Sequence, residues 1–349
     1  MAGVAGDPAG DPDPGRPHIP DHPLMRFIYI DERHGRDQTS GTTTPTIPLR
    51  EGAMNRPRLP IRRTAARLAA LAAATAGVLL AVAAPANAAV PTGRYVALGD
   101  SYTAAPLVPT QVDLNCLRSN RNYPSLVAAS AGSSSFADVS CSGATTDDIL
   151  YGGDGQLGIT VPPQLNAVTS TTALVTVQIG GNDIGFSGII SDCAEASVSS
   201  PLGSPCKDRF TAGGTDQLRA RITATVPKVT AVLRAVRQAA PNARVVVLGY
   251  PAILPDSGYG CWPVVPIAYQ DVPYLRGVEK ALNTMLADTA AANGASYADV
   301  YTPSIGRDAC KGSGTRWVEG LIPQNAAAPF HPNARGEQGM ATALLAHLN

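Results

Sequence analysis

The sequence has little net charge, and this absence excludes two classes of partner. The formal net charge of the 349 residues is +0 at pH 7. From Ala89 onward the chain carries 17 Lys and Arg residues against 19 Asp and Glu residues. This balance provides no electrostatic footprint for a nucleic acid or for an anionic membrane surface. We therefore expect no nucleic-acid partner and no stable membrane anchor.

Metal-binding patterns are also absent from the sequence. The six cysteines form no C-x-x-C pair, and only two of the five histidines, His331 and His347, lie beyond residue 89. Structural zinc sites use clustered Cys and His ligands. We therefore expect no metal site, and an even number of cysteines in an exported chain favours disulfides instead.

The first 88 residues lack the pattern of a folded domain. Residues 1–53 are rich in Pro, Gly and Asp without apolar periodicity, which is typical of disorder or of an over-extended reading frame starting upstream of Met54. Residues 54–88 combine several arginines, an apolar run and the small-x-small motif Ala86-Asn87-Ala88. Because no basic stop-transfer segment follows the run, it predicts a cleaved signal peptide rather than a transmembrane helix. We expect a secreted, extracellular protein whose functional domain spans 89–349.

Short apolar runs alternate with longer helical patterns in the mature region. The predicted strands are 94–100, 136–141, 173–183, 243–251 and 296–303, and the predicted helices lie near 122–131, 216–239, 269–293 and 333–348. Continuous apolar strands between helices indicate a mostly parallel, five-stranded sheet in a three-layer α/β/α domain. Pro227 is expected to kink or interrupt the second helix. Functional residues should lie where the strands end at their carboxyl side.

The six cysteines could pair in 15 ways. Proximity in the predicted topology favours three sequential disulfides: Cys116–Cys141, Cys193–Cys206 and Cys261–Cys310. Four of these cysteines lie in the long loops 103–121, 186–215 and 252–268. Long loops held by disulfides are candidates for the walls of a binding site.

A candidate nucleophile follows the first predicted strand, in the motif "GDSYT". Ser101 stands at the carboxyl end of this strand, where a side chain is exposed to a substrate. The motif is not the G-x-S-x-G elbow of the α/β hydrolases, and taken alone Gly-Asp-Ser is typical of a simple turn. Asp100 is expected to hydrogen-bond this turn.

A serine nucleophile needs a base, and the histidine census leaves one candidate. Three of the five histidines belong to the leader, which leaves His331 and His347. His347 lies at the end of the last predicted helix, where a surface or capping role is favourable. His331 is therefore the predicted base.

Candidate donors for an oxyanion occur at successive strand ends. Asn182 in "GGND" could present its amide, and Gly143 in "CSGATT" could expose its backbone N–H. With the backbone N–H of Ser101 these groups would stabilise a developing negative charge. Each motif alone could be an ordinary turn, but their joint occurrence favours a catalytic site.

These four blocks, "GDSYT", "CSGATT", "GGND" and "FHPNARG", resemble in order and spacing the SGNH/GDSL hydrolase family. The resemblance covers the whole mature region and is strongest to the secreted bacterial GDSL lipases and esterases with three disulfides. It implies a flavodoxin-like sheet, Ser101 as nucleophile and His331 as general base. It also implies an oxyanion hole from Ser101, Gly143 and Asn182, and chemistry that needs no cofactor.

The chain departs from the family pattern at position 328. The family commonly has an aspartate three residues before the histidine, whereas this sequence has Ala328. A main-chain carbonyl of Ala328, or of Pro329, could accept the Nδ1–H and fix the tautomer, giving a Ser-His dyad. A distant carboxylate remains an alternative, and Glu319 and Asp308 are the nearest upstream.

The resemblance predicts a carboxylic-ester hydrolase, a lipase or esterase that is monomeric and acts on a small-molecule or lipid ester. A carbohydrate acetyl esterase or a phospholipase A of the same fold is an alternative. A secreted binding protein without turnover is a third, because the expected acid is missing.

Overall fold

The computed structural model describes residues 90–349. The predicted extension (1–53) and signal peptide (54–88) lie outside the described residues, as does residue 89. Within 90–349, none of the helices combines the length and the apolar character needed to cross a membrane.

Among residues 90–349, nine strands form one central sheet and two small hairpins. The strands are β1 (Arg94–Gly99), β2 (Gln111–Asp113), β3 (Arg118–Ser119), β4 (Ser135–Asp138), β5 (Gly153–Asp154), β6 (Thr160–Val161), β7 (Thr172–Gln178), β8 (Arg244–Leu248) and β9 (Ser296–Ala298). The five-stranded sheet has the order β4-β1-β7-β8-β9, and all of its pairs are parallel. This is the flavodoxin-like order, so the prediction of the fold is confirmed.

In the part of the chain that the structure describes, eight α-helices surround or extend the sheet. They are α1 (Ser101–Ala104), α2 (Tyr123–Ala131), α3 (Thr146–Tyr151), α4 (Phe186–Ser199), α5 (Pro205–Thr211), α6 (Gln217–Ala239), α7 (Asp271–Ala292) and α8 (Ala334–Leu348). The four predicted helices correspond to α2, α6, α7 and α8.

Several details differ from the predictions, and the strands predicted at 243–251 and 296–303 end early, at Leu248 and Ala298. The helix α6 continues through Pro227 without interruption, because Pro227 and Thr223 lie on its exposed face, where water can satisfy the carbonyl that lacks an N–H partner. The third strand was predicted to extend to 183 but ends at Gln178. The backbone turns there at Gly180, which has a φ of 115°.

Alternate residues of the strands enter two cores, one on each face of the sheet. Val96 and Leu98 of β1 join the larger core, which is covered by α3, α6 and α7. Tyr95 and Ala97 join the second core, which is covered by α2 and α8. A side-chain period of two places successive residues on opposite faces, and burial of both faces fixes the positions at which the strands end.

The predicted disulfides are all present: Cys116–Cys141, Cys193–Cys206 and Cys261–Cys310. The first joins the β2–β3 hairpin to the turn after β4, the second joins α4 to α5, and the third joins the loop after β8 to the segment after β9. Each closes a long loop, and such closures typically stabilise a fold by about 2–4 kcal/mol.

Candidate active site

Ser101 and His331 meet at the carboxyl ends of the sheet strands. Ser101 begins α1 directly after β1, and the His331 Nε2 atom lies 2.7 Å from its Oγ atom. The relative exposed area of Ser101 is 9%, so the residue is largely shielded from solvent but not fully enclosed. The distance permits transfer of the serine proton to the imidazole. The structure therefore brings together the predicted nucleophile and base, although they are 230 residues apart in the chain.

Asp100 holds the turn that presents Ser101. Its Oδ1 atom accepts a hydrogen bond of 2.9 Å from the N–H of Tyr102, so it caps the short helix α1, as the sequence predicted. The carboxyl group is buried, and burial raises its pKa to about 7 although hydrogen bonds from Tyr250 and Tyr102 oppose the shift.

The carbonyl that orients His331 belongs to Pro329, and the prediction of Ala328 was wrong. The Pro329 oxygen lies 2.7 Å from His331 Nδ1, whereas the Ala328 oxygen accepts the backbone N–H of His331 at 3.2 Å. The intervening Phe330 has a φ of 59°. This left-handed residue closes a tight turn that occupies the Ala328 carbonyl and leaves the Pro329 carbonyl to the ring. Nδ1 carries the proton, so Nε2 is free to act as a base.

Neither alternative carboxylate contacts the imidazole. Glu319 accepts hydrogen bonds from Asn325 and Asn333, and its backbone N–H donates to the His331 carbonyl. The Asp308 carboxylate accepts the N–H of Cys310. Both carboxylates hydrogen-bond to residues in or near the segment before α8, and neither contacts the ring of His331.

The environment of His331 keeps its ring neutral. Burial lowers the pKa to about 4, while the hydrogen bond to Pro329 opposes the shift. A neutral imidazole accepts a proton, so the group is in its basic form at neutral pH. A carbonyl stabilises the imidazolium less than a carboxylate would, which is consistent with this low value.

The predicted oxyanion donors lie on adjacent loops. Neither the N–H of Ser101 nor that of Gly143 has a hydrogen-bond partner among residues 90–349. Asn182 donates one amide hydrogen from Nδ2 to the Ala144 carbonyl at 2.9 Å, which ties its loop to that of Gly143 and leaves the second hydrogen available. Ser101 and Asn182 line the same pocket.

Gly143 occupies a position that requires glycine. Its φ is 88°, and an added Cβ would lie 3.1 Å from Nε2 of Gln156. Gln156 donates from this nitrogen to the Ser142 carbonyl at 2.8 Å. The β5–β6 hairpin therefore supports the turn that carries the candidate donor.

Tyr250 joins three strand ends, and the sequence analysis did not identify it. Its hydroxyl donates to Asp100 Oδ2 at 2.5 Å and accepts the N–H of Gly181 at 2.9 Å. Asn283 of α7 holds the Tyr250 backbone through both its N–H and its carbonyl. A tyrosine in "LGYP" after a buried strand was a weak signal, because its partners are far away in the sequence.

Tyr102, the residue after Ser101, contacts the segment that carries His331. Its hydroxyl donates to the Phe330 carbonyl at 2.6 Å, and its ring lies 5.1 Å from that of His331 between centroids. The residue after Ser101 thus contacts both the residue before His331 and the imidazole itself. Its position next to the nucleophile was the only sequence signal for this role.

A pocket opens beside Ser101, with a volume of about 670 Å³ that includes space open to solvent. Nine apolar side chains from α4, α7 and the loops after β7 and β8 dominate its lining: Ile184, Phe186, Ile189, Ile190, Ile253, Leu254, Leu275, Val278 and Leu282. Segments 186–215 and 252–268 contribute to the wall, as predicted, but the prediction that 186–215 is a loop was wrong, because this segment forms α4 and α5. His331 does not line this pocket.

The remaining polar residues of the sequence blocks have structural contacts. Asp183 accepts hydrogen bonds from the N–H and hydroxyl of Thr146, and Asn333 caps α8. His347 Nε2 lies 2.9 Å from the Ser296 hydroxyl, far along α8 from the site. In the described part of the chain, no group of three or more His, Cys, Asp and Glu side chains is arranged to hold a metal ion.

Comparisons with known proteins show which family and which solved structures the chain resembles. Residues 97–338 match the model of the GDSL-like Lipase/Acylhydrolase family. Lipase 2 of Streptomyces coelicolor is 44% identical over 269 residues, which cover 74% of this chain and 86% of that protein. Two crystal structures are similar over 73% of this chain and 99% of theirs. Phospholipase A1 from Streptomyces albidoflavus has a TM-score of 0.61 at 30% identity, and an extracellular lipase from Streptomyces rimosus has 0.59 at 31% identity.

Proposed function

The chain belongs to the GDSL-like lipase/acylhydrolase family and is a carboxylic ester hydrolase, and we propose that Ser101 and His331 form its catalytic dyad. The observation that carries this proposal is the 2.7 Å contact between Ser101 Oγ and His331 Nε2. The free backbone N–H groups of Ser101 and Gly143, together with the Asn182 amide, supply the oxyanion hole.

The acylation step follows from this arrangement. His331 Nε2 takes the proton of the Ser101 hydroxyl as the oxygen attacks the ester carbonyl, and negative charge develops on the carbonyl oxygen. The three donors stabilise that charge, and loss of one such donor typically lowers the rate by about 10²–10³. The imidazolium then gives its proton to the leaving alcohol, and the acyl group remains on Ser101.

Deacylation uses the same groups in reverse. Neutral His331 takes a proton from a water molecule, which attacks the acyl carbon, and then returns it to the Ser101 oxygen as the free acid leaves. Throughout both steps the Pro329 carbonyl holds the Nδ1–H and fixes the tautomer. A carboxylate is therefore not needed to orient the ring.

The lining of the pocket supports a proposal for the side on which the acyl chain binds. The leaving alcohol must lie near His331, which protonates it, and His331 is not part of the pocket lining. Ser101 and the oxyanion residue Asn182 do line the pocket. We therefore assign the pocket to the acyl chain, and its aliphatic walls favour chains of several carbons over an acetyl group.

These features support lipid acyl esters as substrates. A similar solved structure is described as a phospholipase A1, so phospholipids are a specific second candidate within this class. We further propose that residues 54–88 direct export, that residues 89–349 form the functional domain, and that the enzyme acts outside the cell as a monomer. The disulfides suit that compartment.

Fluorophosphonate labelling tests the dyad directly. The wild-type enzyme should react at Ser101 and lose its ester turnover, whereas Ser101→Ala should neither react nor hydrolyse p-nitrophenyl esters. Equal labelling of Ser101→Ala, or turnover that survives this substitution, would refute the assignment. A panel of p-nitrophenyl acyl esters, phosphatidylcholine and acetylated xylan separates the substrate classes, and a preference for acetylated xylan would overturn the choice of acyl lipids.

A further inference from the structure

The acyl pocket contains one carboxyl group that the proposed chemistry does not use. Glu279 lies on α7 between Leu275, four residues before it, and Leu282, three residues after it, and it directly follows Val278. All four side chains line the pocket. An acidic residue in an aliphatic stripe is costly unless it is paired.

Only one of the two Glu279 oxygens is paired. The Oε1 atom accepts the backbone N–H of Ile253 at 3.1 Å. The Oε2 atom has no hydrogen-bond partner within residues 90–349, and it is not among the fully enclosed polar atoms. It therefore keeps some exposed surface, on a side chain that lines the pocket.

The other polar groups of the lining are occupied. The hydroxyl of Tyr250 and the carboxylate of Asp100 are paired with each other, and the hydroxyl of Tyr102 donates to Phe330. Ser101 and Asn182 belong to the reaction itself. Glu279 is consequently the group in this lining that is available to a polar substituent on the bound chain.

The chemistry of a carboxyl group selects the substituent. Burial raises the pKa of Glu279 well above its ordinary value, which favours a form that donates a hydrogen bond. A hydroxyl can accept from the protonated group and can donate to the ionised one, so it pairs with Glu279 in either state. An unsubstituted methylene has no hydrogen-bonding group, and it excludes water from the carboxyl group without replacing the lost hydrogen bond.

We propose that Glu279 is a specificity-determining residue that selects acyl chains carrying a hydroxyl group along their length. The inference rests on the proposed assignment of the pocket to the acyl chain. The hydroxyl would lie against Oε2, while Oε1 keeps its contact with Ile253.

The test compares matched esters on the intact enzyme. The substrates are p-nitrophenyl esters of a saturated acid and of its monohydroxy derivatives, with the hydroxyl at successive carbons. For the wild type, kcat/KM at the best position should exceed that of the plain ester roughly tenfold, as expected for one hydrogen bond. A ratio near unity at every position would overturn the inference.

Three variants separate specificity from structure. Glu279→Leu should bring the ratio of hydroxylated to plain ester close to unity. Glu279→Gln should retain most of it, because the amide both donates and accepts and can still receive the Ile253 N–H. Glu195→Leu is the matched control, since Glu195 is exposed on α4, and it should keep the wild-type ratio. A Glu279→Leu enzyme that keeps this ratio contradicts the inference.

Failure of the inference can be told apart from failure of the proposed function. If wild-type turnover disappears in Ser101→Ala but shows no preference for a hydroxyl, the dyad stands and the role of Glu279 is refuted. If Glu279→Leu does not fold, as judged by circular dichroism, the wild-type substrate scan and Glu279→Gln still decide. A purely structural Glu279 would change both esters equally and leave the ratio unaltered.

Discussion

Replacing Tyr250 by phenylalanine removes one oxygen atom that joins the ends of β1, β7 and β8. That oxygen donates to Asp100 Oδ2 and accepts the N–H of Gly181. Asp100 is 1% exposed, so water cannot easily replace the lost donor. The residues after these two partners are Ser101 and Asn182, the nucleophile and an oxyanion donor.

The expected magnitudes follow from the two lost hydrogen bonds. A buried group left without its partner costs about 1–3 kcal/mol, so Tyr250→Phe should lower the free energy of unfolding by roughly 2–4 kcal/mol. Removing an oxyanion donor typically lowers the rate by about 10²–10³-fold. Tyr250→Phe keeps the donor but no longer holds it in position, so we expect kcat to fall by about 10- to 100-fold. KM should change little, because the hydroxyl oxygen is already occupied and does not hold the substrate.

The assay measures kcat and KM on a p-nitrophenyl ester beside thermal unfolding. Tyr297→Phe is the matched control, since the Tyr297 hydroxyl has no hydrogen-bond partner in the described part of the chain. This substitution should leave kcat, KM and the thermal unfolding temperature nearly unchanged. If Tyr250→Phe unfolds earlier but keeps the wild-type kcat, Tyr250 stabilises the fold without positioning the reacting groups, and the reasoning fails.

Three further predictions concern the dyad and its donors. Because burial lowers the pKa of His331 to about 4, kcat/KM should rise with pH through about pH 4; a pH–rate profile without a rising limb near pH 4 contradicts this. The same lowered pKa means that His331 binds a proton more readily in the unfolded state than in the folded state. The free energy of unfolding should therefore fall as the pH falls from 6.5 towards 4. Glu319→Gln and Asp308→Asn should each fall far short of the roughly 10⁴-fold loss of kcat typical of an altered triad acid, and such a loss in a folded variant, verified by circular dichroism, would restore the triad. Gly143→Ala should lower kcat by about 10²-fold through displacement of an oxyanion donor, whereas Gly158→Ala, which has a φ of 69° but open space around it, should show backbone strain in thermal unfolding with an unchanged kcat.

The features that could be predicted from the sequence are those that depend on short local patterns. Short apolar runs located the strands, and Ser101, Gly143 and Asn182 each follow such a run. The disulfide partners followed from the predicted topology because each pair closes loops at the same end of the sheet. The candidate nucleophile and base could be proposed from the sequence because so few histidines compete for the role of base.

The features that escaped prediction depend on backbone conformation or on distant contacts. The choice of Pro329 over Ala328 is set by the left-handed Phe330, a conformation that no residue pattern indicated. Tyr250 and Glu279 act through partners on other strands and loops, so their roles appear only once the sheet and α7 are assembled. The uninterrupted α6 shows that an exposed proline can be tolerated when solvent satisfies the carbonyl opposite its missing N–H.

The separation of 230 residues between Ser101 and His331 has a consequence for maturation. The two side chains can meet only after β1 and the segment before α8 have both reached their places, with every other strand of the sheet folded between them. In a partly folded chain Ser101 has no imidazole beside it, so we expect such a chain not to hydrolyse esters. Reaction with a fluorophosphonate therefore reports completion of the whole fold, and its time course during oxidative refolding should lag behind the recovery of helical circular dichroism.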